Sequence, residues 1–247
     1  MEQRILDIIK ESEMILVGIG EELASVCPPF AVDQSLEPYY RSRYFRNIPE
    51  ENERIQSYNR LKRLIGAKPY FVVTLNTDDL IYRSELENDL IVSPCGSMLK
   101  MQCGDHIVDA APICDAVLAA AENQEDRDCA NRIEDMDPQR FAVCPECGKT
   151  LSFHVKETED YMEEGYLAQW EKYNRWLSCT LNHRLCILEL GAGFSYPQVI
   201  RWPFEKVAYF NRKATLIRVH SRLPQITEEL SERGIAIKAD PGSWLLD

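Results

Sequence analysis

The chain has 247 residues, 45% of them hydrophobic, with 40 acidic against 28 basic side chains and a net charge of −12. A chain of this size can bury one full core, alone or carrying a smaller module. Its acidic surface repels phosphate backbones and anionic headgroups, which argues against nucleic-acid and membrane partners. No apolar run approaches the length of a bilayer span, and residues 1–10 hold Glu2, Arg4 and Asp7 where a signal peptide needs an apolar core. Nine cysteines, an odd number without an export signal, fit a cytoplasmic protein whose thiols bind metal or sit in the core.

Ile5, Leu6, Ile8 and Ile9 give residues 2–12 an apolar helical face, and Met14-Ile-Leu-Val17 reads as a buried strand ending at Gly18-Ile-Gly20. A strand ending in Gly-x-Gly presents backbone N–H groups that can cradle a pyrophosphate. Glu21 and Glu22 follow at once, and either carboxylate could replace a phosphate as the local counter-ion. Residues 27–48, with Pro28, Pro29 and Pro38, read as an irregular loop or lid in which Tyr39, Tyr40, Tyr44 and Phe45 interleave with Arg41, Arg43 and Arg46. Such a cluster either pins the loop to the body or stacks on an adenine ring and pairs with phosphates. Residues 49–65 read as an amphipathic helix stopped by Gly66. Residues 70–74 make a second buried strand running into Leu75-Asn76-Thr77-Asp78-Asp79. At the carboxyl end of a parallel strand, Asn76 and Asp78 are candidates to hold a cofactor's amide or ribose hydroxyls, with helix capping the competing role for Asp78. A further apolar segment at 90–92 leads to Ser93-Pro-Cys-Gly96.

Cys103-x-x-His106 and Cys144-x-x-Cys147, separated by thirty-seven residues, read as a split zinc site, because an x-x spacing lets two ligands on one tight turn reach the same ion. Cys114 is the alternative to His106 as fourth ligand. Four protein ligands leave no open position, so such an ion is structural. The competing reading is a set of buried thiols. Residues 111–139 read as an acidic, helical insertion on this module. Residues 150–155 alternate like a hairpin strand, in which His154 reads as structural. Residues 160–176 read as a long helix with Tyr166, Trp170 and Tyr173, followed by Leu177, on its buried side. Residues 184–190 are the clearest buried strand and end at a second glycine turn, Gly191-Ala-Gly193-Phe-Ser195. A strand at 214–219, a helix at 226–233 closed by Gly234 and a short strand at 235–238 complete the chain. Strands alternating with helices, with glycine turns at strand ends, predict an α/β fold: a doubly wound parallel sheet of Rossmann type, from residues 1–92 and 180–247. Residues 93–179 then form a small domain with the zinc-binding module.

In their order these elements resemble the sirtuin (Sir2-like) family, which pairs a Rossmann domain with an inserted zinc ribbon. Asn76-Thr-Asp78 matches the family's Asn-x-Asp element, and Cys95-Gly-Ser97 stands where sirtuins carry His-Gly-Ser, eight residues before the first zinc cysteine. The Cys-Pro-Glu-Cys knuckle and the Gly191-Ala-Gly193-Phe-Ser195 turn match later elements. The chain is most similar to the macrodomain-linked microbial sirtuins, through Leu188-Glu-Leu-Gly-Ala-Gly193, Pro197-Gln-Val-Ile200 and Trp202-Pro-Phe204. Those relatives also replace the histidine, and protein ADP-ribosylation is their assigned activity. The resemblance therefore implies NAD as co-substrate and a protein acceptor such as a lipoyl-type carrier protein. Asn76 and Asp78 position nicotinamide and ribose in this scheme, while Gly18, Gly20, Gly191, Gly193 and Ser195 contact the rest of the dinucleotide. The chain departs from the family at Glu21 and Glu22, which crowd the pyrophosphate, and at Cys95, whose thiol, ordinarily near pKa 8.5, can serve as base or nucleophile only if that value is depressed. Alternative readings are a degenerate sirtuin fold acting as an interaction module, an NAD hydrolase, and a protein deacylase.

Overall fold

Apolar, β-branched runs dominate the strands, and the chain pairs them into two sheets. The computed structural model describes residues 3–125 and 138–246; residues 126–137 of the expected acidic insertion lie outside the described residues. Strands β1 (Met14–Ile19), β2 (Tyr70–Thr74) and β3 (Ile91–Val92) lead into β4 (Gly96–Gln102), β5 (Ile107–Asp109) and β6 (Ser152–Val155). Strands β7 (Leu185–Leu190), β8 (Thr215–Val219) and β9 (Gly234–Ile237) follow. The first and last trios make one parallel sheet in the order β3-β2-β1-β7-β8-β9, and the middle trio an antiparallel sheet in the order β5-β4-β6. The helices are α1 (Gln3–Glu11), α2 (Glu37–Arg46), α3 (Glu53–Ile65), α4 (Ala111–Glu125), α5 (Glu164–Ser178), α6 (Arg201–Phe210) and α7 (Pro241–Leu246).

Every residue of β1, β2 and β7 is buried, as a parallel sheet covered on both faces requires. The period of two splits them between two cores. Ile15, Val17 and Ile19 pack with Ile55, Tyr58 and Leu61 of α3 and Trp244 of α7, while Leu16, Phe71 and Ile187 pack with Tyr173 of α5 and Phe204 of α6. A third core, built on Met101, Val117, Ala142 and Leu151, fills the smaller sheet's module.

Two stretches differ from the sequence expectation. The proline-bearing segment 27–48 contains α2, because Pro38 falls in its first turn, where a missing N–H is not needed. Arg43 and Arg46 then tie α2 to Glu122 and Asp115 of α4, at 3.3 and 2.6 Å. Residues 226–233 wind only a short 3-10 turn, Glu228–Leu230, because β9 begins at once and the Gly234 backbone lies against the Ile226 side chain. The Trp202-Pro-Phe204 segment lies within α6.

A Cβ on Gly18 would fall 2.6 Å from the Ile200 side chain and 2.7 Å from the Phe204 ring, so glycine here lets α6 sit down on the sheet. Gly18→Ala is expected to cost about 1–3 kcal/mol through overpacking, read as a shift of the urea midpoint at unchanged slope. An unshifted midpoint would show that α6 can retreat freely.

The two sheets join where β2 ends. The Met98 N–H donates to the Thr77 carbonyl at 2.8 Å, and the Ser97 hydroxyl donates to Asp79 Oδ2 at 2.5 Å. Asp79 itself is left-handed, φ 58°, a conformation that Asp and Asn tolerate. Burial pushes its carboxyl from 3.8 up to about 6, against the opposing pull of the Ser97 hydroxyl and Lys100. A carboxyl raised on folding contributes stability that is full below its unfolded value and lost as pH rises through the folded one. Asp79→Asn is therefore expected to stabilise the fold by about 1–2 kcal/mol at pH 7.5 and to flatten the fall in stability between about pH 4 and 6. Urea melts at pH 4 and pH 7.5 test this, and an equal effect at both would refute it.

Candidate functional site

The chain leaves β1 towards β2 and β3 on one side, and leaves β7 towards β8 and β9 on the other. The two central strands are therefore the switch point of the sheet, and the crevice opens beyond their carboxyl ends. Both run into glycine turns that press on each other. A Cβ on Gly20 would lie 2.1 Å from the Ala192 Cα, and the Gly20 N–H donates to the Leu190 carbonyl at 2.8 Å. Gly191 is left-handed, φ +68°, with its N–H donating to the Val219 carbonyl at 2.8 Å.

The two glutamates close this junction. Glu21 Oε2 accepts the Gly193 N–H at 2.7 Å and Oε1 the Ser195 N–H at 3.2 Å. Burial raises this carboxyl, but the N–H groups outweigh it and hold the group below the usual carboxylate range. Glu22 accepts the Ser221 N–H at 2.9 Å and the Ser221 hydroxyl. The donors of the second glycine turn, which would suit an anionic ligand, thus already hold an anion belonging to the chain.

A cleft of about 670 Å³ lies outside this junction. Leu75, Thr77 and Asp78 line it from the end of β2, Cys95 from just before β4 and Met98 from within it, and Glu21 and Ser195 from the glycine turns. Of the residues singled out in the sequence, Glu21, Arg41, Phe45, Asp78, Cys95 and Ser195 share its wall. Asn76 stands behind it, 5% exposed, with its amide donating to the Tyr58 hydroxyl at 3.3 Å; that hydroxyl donates to the Leu23 carbonyl at 3.1 Å. Asp78 accepts the Ser25 N–H at 2.7 Å and the Leu80 N–H at 3.1 Å, so it caps the turn after β2 and also ties down the segment after Glu22. Burial nevertheless raises its carboxyl above the usual range. Gly18 lies under α6, and Gly20 and Gly191 support the junction. The condition set for Cys95 is not met, since burial and the nearby Glu157 push its thiol up to about 12.

Among the lining residues that went unnoticed in the sequence are Glu157 and Tyr196: Glu157, in the segment after β6, reaches the cleft and accepts the Tyr196 hydroxyl at 2.6 Å. Tyr196 directly follows the second glycine turn, the one signal that marked it. Arg41 is already paired with Glu37 at 2.6 Å. The wall carries Glu21, Asp78 and Glu157 against this one guanidinium, an acidic balance for any phosphate-bearing ligand.

Some distance along β4 the four expected metal donors converge. The Sγ atoms of Cys103, Cys144 and Cys147 and a ring nitrogen of His106 all lie within 4.8 Å of one another. Cys103 Sγ is 3.6 Å from Cys147 Sγ and 3.7 Å from His106 Nδ1, while Cys144 Sγ is 3.8 Å from His106 Nδ1. Zn–S bonds of about 2.3 Å in a tetrahedron require edges of about 3.7 Å, so the cluster fits zinc. Left-handed Gly104 and Gly148 shape the two knuckles, and the Gly148 N–H donates to the Cys144 carbonyl at 2.9 Å. Cys114 is buried in the third core instead, which leaves His106 as the fourth donor.

No family model matches the chain. It is 23% identical to a Staphylococcus aureus protein named "Protein ADP-ribosyltransferase", over 94% of this chain and 82% of that protein. A protein of Fusarium oxysporum f. sp. cubense, named "Probable bifunctional ADP-ribose hydrolase/ADP-ribosyltransferase", is 31% identical over 60% of this chain, an aligned stretch that makes up 25% of that protein. Among solved structures, Sir2 bound to an acetylated peptide is similar with a TM-score of 0.58 and 14% identity, covering 100% of this chain and 96% of that one. A Sir2 protein bound to a propionylated peptide gives 0.56 and 13%, covering 99% and 95%. The parallel sheet with its switch-point cleft, the inserted antiparallel sheet and the four-donor cluster give this chain the sirtuin fold.

Proposed function

We propose that the chain is an NAD-dependent protein ADP-ribosyltransferase of the sirtuin type. NAD enters the switch-point cleft, the bond between its ribose C1′ and nicotinamide breaks, and a nucleophilic side chain of an acceptor protein bonds to C1′ while nicotinamide leaves. The observation that carries this reading is the single cleft lined from both strand ends, by Thr77 and Asp78 on one side and Ser195 on the other. Relatives named for this activity support it. An acceptor such as a lipoyl-type carrier protein fits the resemblance; the same cleft without an acceptor would make an NAD hydrolase, and with an acylated side chain a deacylase. The division into residues 1–92 with 180–247 and residues 93–179, the cytoplasmic location, and the lack of nucleic-acid and membrane partners belong to the same reading. Among the described residues no helix is long and apolar enough to cross a membrane.

Asp78 positions the ribose and nicotinamide end from the cleft wall, and Asn76 supports that end from behind the wall. Cys95, a protonated thiol, is a wall residue. Glu157 is the carboxylate placed to take the acceptor's proton, steadied by the Tyr196 hydroxyl. A zinc ion on Cys103, His106, Cys144 and Cys147 supplies a structural clamp.

A carboxylate of the chain already sits on the Gly193 and Ser195 N–H groups, and this favours a second reading, an interaction module that has lost NAD. Calorimetry decides between them. Glu21→Gln removes the competing charge and is expected to tighten NAD binding by about 1 kcal/mol, roughly fivefold. Absence of binding at millimolar NAD in both proteins would leave the interaction module standing. If transfer occurs, Glu157→Gln is expected to slow it at least roughly a hundredfold at unchanged NAD affinity, with Cys95→Ser within about threefold of the parent. The reverse pattern would return the role to the thiol. Elemental analysis is expected to find one zinc per chain, and Cys147→Ser to lose the ion and lower the melting temperature; a metal-free chain of unchanged stability would refute the clamp.

A further inference from the structure

A second cavity, of about 230 Å³, shares no lining residue with the cleft. It lies among the turn after β2, the two strands β4 and β6, and the start of α5, with Asp79, Ser97, Lys100, His154, Tyr166 and Gln169 among its walls. Three of these side chains carry a buried polar atom that no protein group satisfies: Asp79 Oδ1, His154 Nδ1 and Gln169 Oε1. Leaving such an atom unpaired costs about 1–3 kcal/mol, and three around one cavity point to a ligand that pairs them.

All three are acceptors. His154 is 3% exposed, and its Nε2 lies 2.9 Å from the Met162 carbonyl, so the ring proton sits on Nε2 and Nδ1 offers a bare lone pair. Burial lowers the pKa of the ring and keeps it neutral. The other oxygen of Asp79 is engaged by the Ser97 hydroxyl, and the Gln169 amide nitrogen faces Asp89 Oδ1 at 3.5 Å, which leaves Oε1 as the free end. A phosphate or carboxylate brings only acceptors and is excluded. A cation finds Asp79 already balanced by the Lys100 ammonium on the same wall. What remains is a neutral group with several N–H donors and one carbonyl.

We propose that this cavity binds a small neutral molecule bearing a primary carboxamide or urea group, with its N–H donors on Asp79, His154 and Gln169 and its carbonyl on Lys100. Tyr82 and Tyr166 flank it with aromatic surface, and Tyr82 is fixed by a 2.8 Å hydrogen bond with Ser93, so a flat ring on the carboxamide is accommodated.

The test uses benzamide and benzoate, titrated separately into the full ¹⁵N-labelled chain without NAD or acceptor, so it stands apart from the transferase reading. Benzamide is expected to give saturating shifts at the amides of Gly96 and Gly165, with benzoate giving none at the same concentration. Gln169→Met, at a half-buried position whose loss leaves the fold intact, is expected to weaken benzamide at least fivefold. His154→Phe keeps the ring packing and removes both nitrogens, and is expected to abolish the shifts with the remaining spectrum unchanged. Equal responses to benzamide and benzoate, shifts confined to Ser195 in the cleft, no shifts at all, or an affinity unmoved by Gln169→Met in a folded protein would each overturn the proposal.

Discussion

The Glu21 carboxylate, seated on the N–H groups of Gly193 and Ser195, is the contact on which the switch point depends. Strands β1 and β7 end side by side, and their glycine turns approach so closely that a Cβ on Gly20 would overlap the Ala192 backbone. Backbone donors lifted off a sheet in this way have no neighbouring strand to pair with, and each unpaired buried donor destabilises the fold. A dinucleotide phosphate can satisfy them from outside, and here a side chain six residues along from Ile15 satisfies them from within. The same bond that stabilises the junction would compete with any anion for its best donors. Affinity for a nucleotide in this cleft would then be set by how easily one carboxylate swings away, more than by the size of the cleft.

The second turn is held from below by charges of the opposite sign. Arg201, buried in α6, donates to the Ala192 carbonyl and to the Leu223 carbonyl, each at 2.8 Å. Beneath it, Glu189, one residue before the end of β7, accepts Arg218 in a two-pronged pair at 2.6 and 2.9 Å, and Arg218 also reaches the Gln225 carbonyl at 2.6 Å. Buried ion pairs of this kind contribute little net stability, because desolvation offsets the attraction. What they contribute is direction, since a guanidinium fork fixes the carbonyls it touches. The turn is clamped between an arginine on its carbonyl side and a glutamate on its N–H side.

How much of this was legible in the sequence follows from how local each feature is. Strands 70–74 and 185–190 were readable because full burial writes a run that is apolar but for one or two positions, and the knuckles because an x-x spacing is a property of one tight turn. The α2 helix was hidden by a proline-bearing segment of which only Pro38 falls in the helix, harmlessly in its first turn, and its support comes from Asp115 and Glu122, some seventy residues away. Glu157 and Tyr196 were invisible as a pair because their meeting depends on the fold of the small module. Gly18 and Gly20 looked like phosphate-binding residues, yet their lack of a side chain serves packing against α6 and against Ala192. Nothing in a glycine's identity distinguishes a cradle from a close approach.

Strand β4 connects these local facts. Its seven residues begin at Gly96, directly after Cys95 on the cleft wall, and end at Gln102, directly before the metal donor Cys103. Met98 faces the cleft, Ser97 holds Asp79, and Lys100 lines the second cavity. A closed four-donor cluster cannot take part in chemistry, but it fixes one end of the strand whose other end forms a wall of the cleft. Position along a short strand is transmitted at about 3.3 Å per residue with little slack. Both cavities are thus lined by the strand that ends at this cluster, so an ion held there would bear on binding without touching a ligand.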